Sequence, residues 1–326
     1  MATGSPPDLA PPKRVCLLGA TGTIGRATRS ALTARGHDVV CFVRPQTAIH
    51  DAKTRAVTLS DPASIARDGF RGEGFDAVVS CMASRTGTPR DAWAVDHQAH
   101  ANVLAAAQTA GIRQFVLLSA ICVQKPLLAF QQAKLAFEAA LTASGLTYSI
   151  VRPTAFFKSL SGQVDRVRRG RPFLVFGDGT LTACKPISDG DLAVYLADCL
   201  EDEGRWNRIL PIGGPGEAIT PRQQGEALFA LLSREPRFRH VPVALLDGII
   251  GTLGVARRLA PSLTEKRELA RIGRYYATES MLVLDPATGR YDAAATPSTG
   301  TETLFGYYRT LLADGAKAES GAHSVF

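Results

Sequence analysis

The residues that most narrow what this chain can become are Gly19, Gly22 and Gly25, in the run Gly19-Ala20-Thr21-Gly22-Thr23-Ile24-Gly25. They follow the apolar run Val15-Cys16-Leu17-Leu18 and open a helical pattern that reaches about Arg35, with Gly36 as its stop. A strand that passes at once into a helix must turn sharply, and side chains at these three positions would block close approach to the backbone. The helix start also presents N–H donors and a dipole that favours negative charge. A purely structural turn would use glycines too. Placed on the first strand–turn–helix of an alternating chain, however, the triplet predicts a dinucleotide pyrophosphate site over residues 19–25.

The rest of the chain supplies that alternation. Apolar stretches at 39–43, 56–59, 77–81, 115–118 and 147–151 read as strands, and helical patterns at 91–110 and 127–144 end at Gly111 and Gly145. Such a series implies right-handed crossovers and a doubly wound parallel sheet, the α/β Rossmann architecture. The expected division is a lead-in at 1–12, a dinucleotide-binding domain at 13–153, a smaller substrate region at 154–314 and a flexible tail at 315–326. Past Pro153 glycine and proline become frequent, and some segments of that region are expected to return to the sheet.

A chain of 326 residues, 45% hydrophobic and 21% charged, is enough for one large packed domain with an appended region. The formal net charge of +7 and pI near 9.2 favour anionic small molecules or an acidic membrane surface. Nucleic acid is not expected, because no long basic run or recognition module is present. Six cysteines without a C-x-x-C pair read as free thiols in a reducing compartment, and no histidine–cysteine spacing suggests a metal. The start of the chain lacks the apolar core of a secretory signal and is too short for a transit peptide. Residues 241–256 are too short and too interrupted to span a bilayer. They read as a buried helix in preference to one lying on a membrane. A cytoplasmic protein follows, with peripheral membrane contact left open.

The end of the second strand distinguishes the dinucleotides. An acidic residue there would hold the ribose hydroxyls of NAD; this chain has Arg44, whose guanidinium suits a 2′-phosphate and therefore NADPH. A solvated surface arginine is the plainer alternative. Asp61 is an expected neighbour of the adenine. Cys81 and Pro153, at the ends of the fourth and sixth strands, are expected to border the cofactor.

The stretch from Ser119 to Glu138 carries the chemistry. It resembles the part of a short-chain dehydrogenase/reductase that holds the catalytic Ser and a Tyr-x-x-x-Lys pair. Lys134 is present, but Phe130 stands where the tyrosine would be. Together with the glycine loop, Arg44 and the segment Asp189-Gly-Asp-Leu-Ala193, this is similar to the atypical reductases of the NmrA and isoflavone-reductase kind. The block from Phe115 to Leu128, followed by Phe130-Gln131 and Ala133-Lys134, more closely resembles the divinyl chlorophyllide 8-vinyl reductase family.

That resemblance implies NADPH-dependent reduction of a vinyl group on a chlorophyll precursor to ethyl. With no transit peptide expected, such a protein would fit a phototrophic bacterium in preference to a plastid. Any magnesium would belong to the substrate. A macrocycle can spread the charge left by hydride addition, so a phenol at position 130 is not obligatory. Lys134 then either orients the nicotinamide ribose or relays a proton. Ser119 is a candidate catalytic residue at the carboxyl edge of the sheet, or simply a strand-end cap. Phe130, Phe156 and Phe157 are candidate substrate contacts, with Phe173 and Phe176 further along the same wall. Arg152, Lys158, Arg166 and Arg168 are candidates for the substrate carboxylate, and His97 or His240 for its magnesium. Two other functions compete: a non-catalytic NADP(H)-binding regulator, and a reductase of small phenolic alkenes or ethers. Oligomeric state is not legible.

Overall fold

The computed structural model describes residues 11–48, 51–256 and 263–313. The expected tail, and the lead-in before Pro11, lie outside these residues. The strands, in chain order, are β1 Arg14–Leu18, β2 Asp38–Val43, β3 Thr54–Ala56, β4 Ala77–Ser80, β5 Gln114–Leu118, β6 Thr147–Pro153, β7 Phe173–Phe176, β8 Arg208–Ile212, β9 Phe238–Val241 and the short antiparallel pair β10 Val283–Leu284 and β11 Tyr291–Asp292. Seven of them form one parallel sheet in the order β3-β2-β1-β4-β5-β6-β8. β7 and β9 make a separate parallel pair.

Alternate residues of each central strand feed different cores, as a period of two requires. Val15, Leu17, Val39 and Cys41 face the helices Thr23–Ala34 and Asp189–Asp198, through Leu32, Leu192 and Leu196. Cys16, Leu18, Val40 and Phe42 face the other side, where Val103 and Leu104 of helix His100–Thr109 and Phe137 and Leu141 of helix Ala129–Thr142 cover them. With both faces buried the strands read as continuous apolar runs. The order reverses at β1, whose neighbours β2 and β4 lead in opposite directions. A crevice therefore opens at the carboxyl ends of β1 and β4.

Three expectations need correction. The third strand is Thr54–Ala56 and not 56–59. Arg55 looks like a loop residue, yet it is buried, donating to the Gly69 carbonyl at 2.5 Å and pairing with Glu73 at 2.7 Å. The helix expected at 91–110 starts at Pro89 and is wound wide, in π-type turns, over Trp93–Ala99. Asp96 and His100 lie buried along it. Last, the apolar helix Val243–Ala256 is not buried. None of its residues is, and Leu245 and Val255 are 56% and 67% exposed. It packs on helix Leu263–Thr278, tied there by an Arg274–Asp247 ion pair. A helix apolar all round needs cover on more than one side to be buried. None of the six cysteines forms a disulfide.

Candidate active site

The glycine turn answers whether a dinucleotide fits. Gly19 has φ +73°, and a Cβ there would lie 2.6 Å from the Cys81 carbonyl carbon. A Cβ on Gly25 would lie 2.0 Å from the Gly19 oxygen. These two glycines are demanded by the protein's own packing of β1, β4 and the first helix. Gly22 is not: its nearest neighbour would be 3.5 Å away, and its φ of −74° suits any residue. The space above Gly22 is left for something outside the chain. The Thr23–Ala34 helix starts there without a side-chain cap and without an acidic residue in its first turn. Its leading N–H groups are available to an anion. Lys158 adds a cation, with Nζ 3.1 Å from Thr23 Oγ1. A pyrophosphate fits this donor set.

Above the turn lies a cavity of about 890 Å³. It runs from Thr21–Gly25 past the ends of β4, β5 and β6, reaching Cys81, Ser119, Phe130, Lys134, Pro153, Phe156 and Lys158. Lys134 Nζ is 3.0 Å from Asp96 Oδ1, and both side chains are nearly enclosed. Asp96 also accepts the Ser84 hydroxyl at 2.5 Å and the Ser84 N–H at 3.2 Å. One buried carboxylate thus fixes the lysine and the loop after β4 together. Two buried charges are stable here only as a pair, since either alone would lack compensation.

His100 stands beside this pair. Its Nδ1–H donates to the Val95 carbonyl at 2.9 Å, and Nε2 lies 2.7 Å from the Ser80 hydroxyl, which donates to it when the ring is neutral. Burial, helped by the Lys134 charge, pushes its pKa down to about 4. The folded protein refuses a proton that the unfolded chain accepts below about pH 6.5. This contribution to stability is full above that pH, falls as pH drops, and is lost by about pH 4, amounting to about 3 kcal/mol. Urea midpoints measured from pH 7 to 4.5 should fall accordingly, with a shallower fall in His100→Gln. An equal slope in the variant would remove His100 from the effect.

Ser119 points elsewhere than its catalytic assignment requires. Its hydroxyl donates to Glu138 Oε1 at 2.5 Å. Glu138 in turn pairs with Arg152 on β6. The serine's proton goes to a buried carboxylate, which ties the end of β5 to β6 and to helix Ala129–Thr142. Phe130 borders the cavity but is 4% exposed, packed among Ile121, Cys122, Leu128 and Tyr275. Its ring belongs chiefly to the wall.

Other expected residues divide. Gly19 and Ala20 form the turn beneath the cavity. Arg44, just past β2, is exposed, and among the described residues no carboxylate pairs with it. Asp61 is outside the cavity, and its side chain caps a short helix by accepting the Ala63 N–H at 3.0 Å. Phe156, Phe173 and Phe176 line the cavity, whereas Phe157 turns away to pack with Val164 and Tyr308 and to meet the Tyr307 ring at 5.5 Å. Phe156 is the extended residue that precedes the short helix Phe157–Leu160, and this change of backbone sends the two side chains to different sides. Arg152 is held by Glu138, Arg168 pairs with Asp165 at 2.9 Å, and Arg166 donates to the Pro172 carbonyl at 2.7 Å. Of the four basic candidates Lys158 alone borders the cavity. His97 lies against Trp93, and exposed His240 bonds the Gly177 carbonyl; neither reaches it.

Three site residues were not anticipated. Glu138 had a signal, because Phe130, Lys134 and Glu138 recur at i, i+4 and i+8 on one helix face. Asp96 and Tyr276, which reach the same region from distant segments, had none.

A parallel sheet with an uncapped glycine turn at its switch point, and a lysine on the wall of the same cavity, defines a dinucleotide-binding fold, and a family model described as NAD(P)H-binding matches residues 19–203. The chloroplastic divinyl chlorophyllide a 8-vinyl-reductase of Oryza sativa subsp. indica is 48% identical, over 98% of this chain and 84% of that protein. The Arabidopsis thaliana protein of the same name is 45% identical, over 99% of this chain and 81% of its own length. The chain belongs to the divinyl chlorophyllide a 8-vinyl-reductase family. Among solved structures, AtPrR2 with NADP+ and (+)pinoresinol shares the fold, with a TM-score of 0.65 at 17% identity, over 92% of this chain and 99% of that one.

Proposed function

We propose that this protein reduces the 8-vinyl group of divinyl chlorophyllide to ethyl, with NADPH as the hydride source. The observation that carries this reading structurally is the continuity of one cavity from the uncapped glycine turn, past Lys134, to the aromatic wall of Phe156, Phe173 and Phe176. Hydride donor and flat apolar acceptor can then share one enclosure. When bound, the cofactor supplies the hydride. The chain's own part is to hold, orient and exclude water. The N–H groups at Thr23 and Ile24, with Lys158, take the pyrophosphate. Lys134, fixed by Asp96, takes the nicotinamide ribose, and Cys81 and Pro153 border the cofactor. The test is consumption of NADPH on addition of divinyl chlorophyllide, with a product heavier by two hydrogens. A protein that binds NADPH and leaves the pigment unchanged would instead be a binding module.

Arg44 selects NADPH in this reading, as an exposed guanidinium just past β2 that no carboxylate among the described residues pairs. Arg44→Ala should raise the NADPH KM about tenfold or more, the loss of a charge-assisted hydrogen bond worth roughly 1.5–3 kcal/mol. Its KM for NADH should barely change. Equal weakening of both cofactors would place Arg44 away from the 2′-phosphate.

The exposed helix Val243–Ala256 is, on the same reading, the face for peripheral contact with a membrane that carries the pigment. Leu245→Glu with Ile249→Glu should abolish co-sedimentation with anionic lipid vesicles. Unchanged co-sedimentation would exclude this face.

A further inference from the structure

We propose that Tyr276 donates the proton that completes reduction of the vinyl group. The proposal rests on the 8-vinyl reduction argued above and names a residue for its second half-step. Hydride addition to one vinyl carbon pushes the π electron pair onto the neighbouring carbon and the ring conjugated with it. That carbon must then take a proton, and Phe130 has none to give.

Tyr276 lies on helix Leu263–Thr278, far from Phe130 in sequence, yet its ring packs against the cluster that contains Ile121, Cys122 and Phe130. It lines the same cavity as Lys134 and Phe130. The chain thus returns a phenol to the wall from which the Tyr-x-x-x-Lys pattern has lost one.

Three other hydroxyls of this region are already committed. Tyr275 donates to the Cys122 carbonyl at 2.9 Å, Tyr291 to Glu279 at 2.8 Å, and Ser119 to Glu138 at 2.5 Å. The ammonium of Lys134 is bound to Asp96. Tyr276 Oη has, among the described residues, only the Cys122 thiol at 4.0 Å, a weak partner. Its O–H is therefore free to turn to a substrate in the cavity. Burial, with Cys122 and Tyr275 alongside, holds this phenol well above its ordinary pKa, so it stays protonated at neutral pH.

The step balances. The acceptor carbon forms a C–H bond with the Tyr276 proton, the O–H bond breaks, and its electron pair stays on the phenolate. One vinyl group, one NADPH and one proton give one ethyl group and one NADP+. The phenolate recovers a proton from water once the product has left.

Tyr276→Phe keeps the ring and removes only the donor. Its turnover of divinyl chlorophyllide should fall about 10²-fold or more, in the range that proton transfer contributes. NADPH affinity, read by fluorescence titration, and the melting temperature should stay near wild type. The rate of the variant should rise with the concentration of a small buffer acid such as imidazolium, while the wild-type rate does not. Tyr275→Phe, one residue away, should stay within about threefold of wild type, since its hydroxyl is spent on a backbone carbonyl. The proposal is overturned if Tyr276→Phe turns over within about threefold of wild type. It is overturned equally if rate, NADPH affinity and melting temperature fall together without buffer rescue. A wild-type protein that does not reduce the vinyl group would refute the functional reading instead, before Tyr276 is tested.

Discussion

Lys134→Ala should lose both stability and cofactor affinity, and the two losses should separate. The lysine is paired at 3.0 Å with Asp96, whose side chain is fully enclosed. Removing the cation strands a buried carboxylate, a change that costs about 3–5 kcal/mol. The melting temperature should drop by several degrees, and NADPH should bind roughly tenfold more weakly, as expected for loss of a charged hydrogen bond of about 1.5 kcal/mol to the ribose. The double variant Lys134→Met with Asp96→Asn removes both charges. It should recover most of the stability and none of the affinity. If affinity returns with stability, Lys134 acts only as Asp96's counter-ion. An alanine variant with unaltered NADPH binding would remove it from the cofactor site.

Gly25→Ala and Gly22→Ala should fail differently. A Cβ on Gly25 collides at 2.0 Å with the Gly19 oxygen and at 2.7 Å with the Gly19 carbonyl carbon, both backbone atoms that cannot rotate aside. The turn must deform, so NADPH affinity should fall by more than about 100-fold and thermal stability should fall with it. At Gly22 the added methyl meets nothing closer than 3.5 Å, in an extended conformation open to any residue. Stability should hold to within about 1 kcal/mol, the cost of alanine in place of glycine at a helix N-cap. Affinity should still drop tenfold or more, because the methyl occupies the approach left for the pyrophosphate. Calorimetric titration with NADPH alongside thermal melts distinguishes the two. If Gly22→Ala binds NADPH normally, the pyrophosphate does not lie over that residue.

Most of the sheet was legible because each central strand is a contiguous apolar run between glycine stops. β3 slipped because Arg55, a charged residue, is buried by pairing with Glu73, a partner that local pattern does not reveal. The helix Val243–Ala256 misled in the other direction. Its apolar composition suggests burial, but burial depends on how many elements pack on it, and that is tertiary information. Around the cavity, the glycine turn and the Phe130/Lys134 spacing could be read from short segments. The Lys134–Asp96 pair and the Tyr276–Phe130 wall could not, because they join segments that meet only in the folded chain. Phe156 and Phe157 show the limit of composition: both are aromatic neighbours, and the change from extended chain to helix between them decides which one faces the cavity.

The most direct test of vinyl reduction at this site is isotopic. Single turnover of divinyl chlorophyllide with NADPH deuterated at the transferable position of the nicotinamide should place one deuterium in the new ethyl group, seen by mass spectrometry. The same reaction in D₂O with unlabelled NADPH should place one deuterium on the other carbon. A product without the cofactor's deuterium, or pigment recovered with its vinyl group intact, would contradict direct hydride transfer in this cavity.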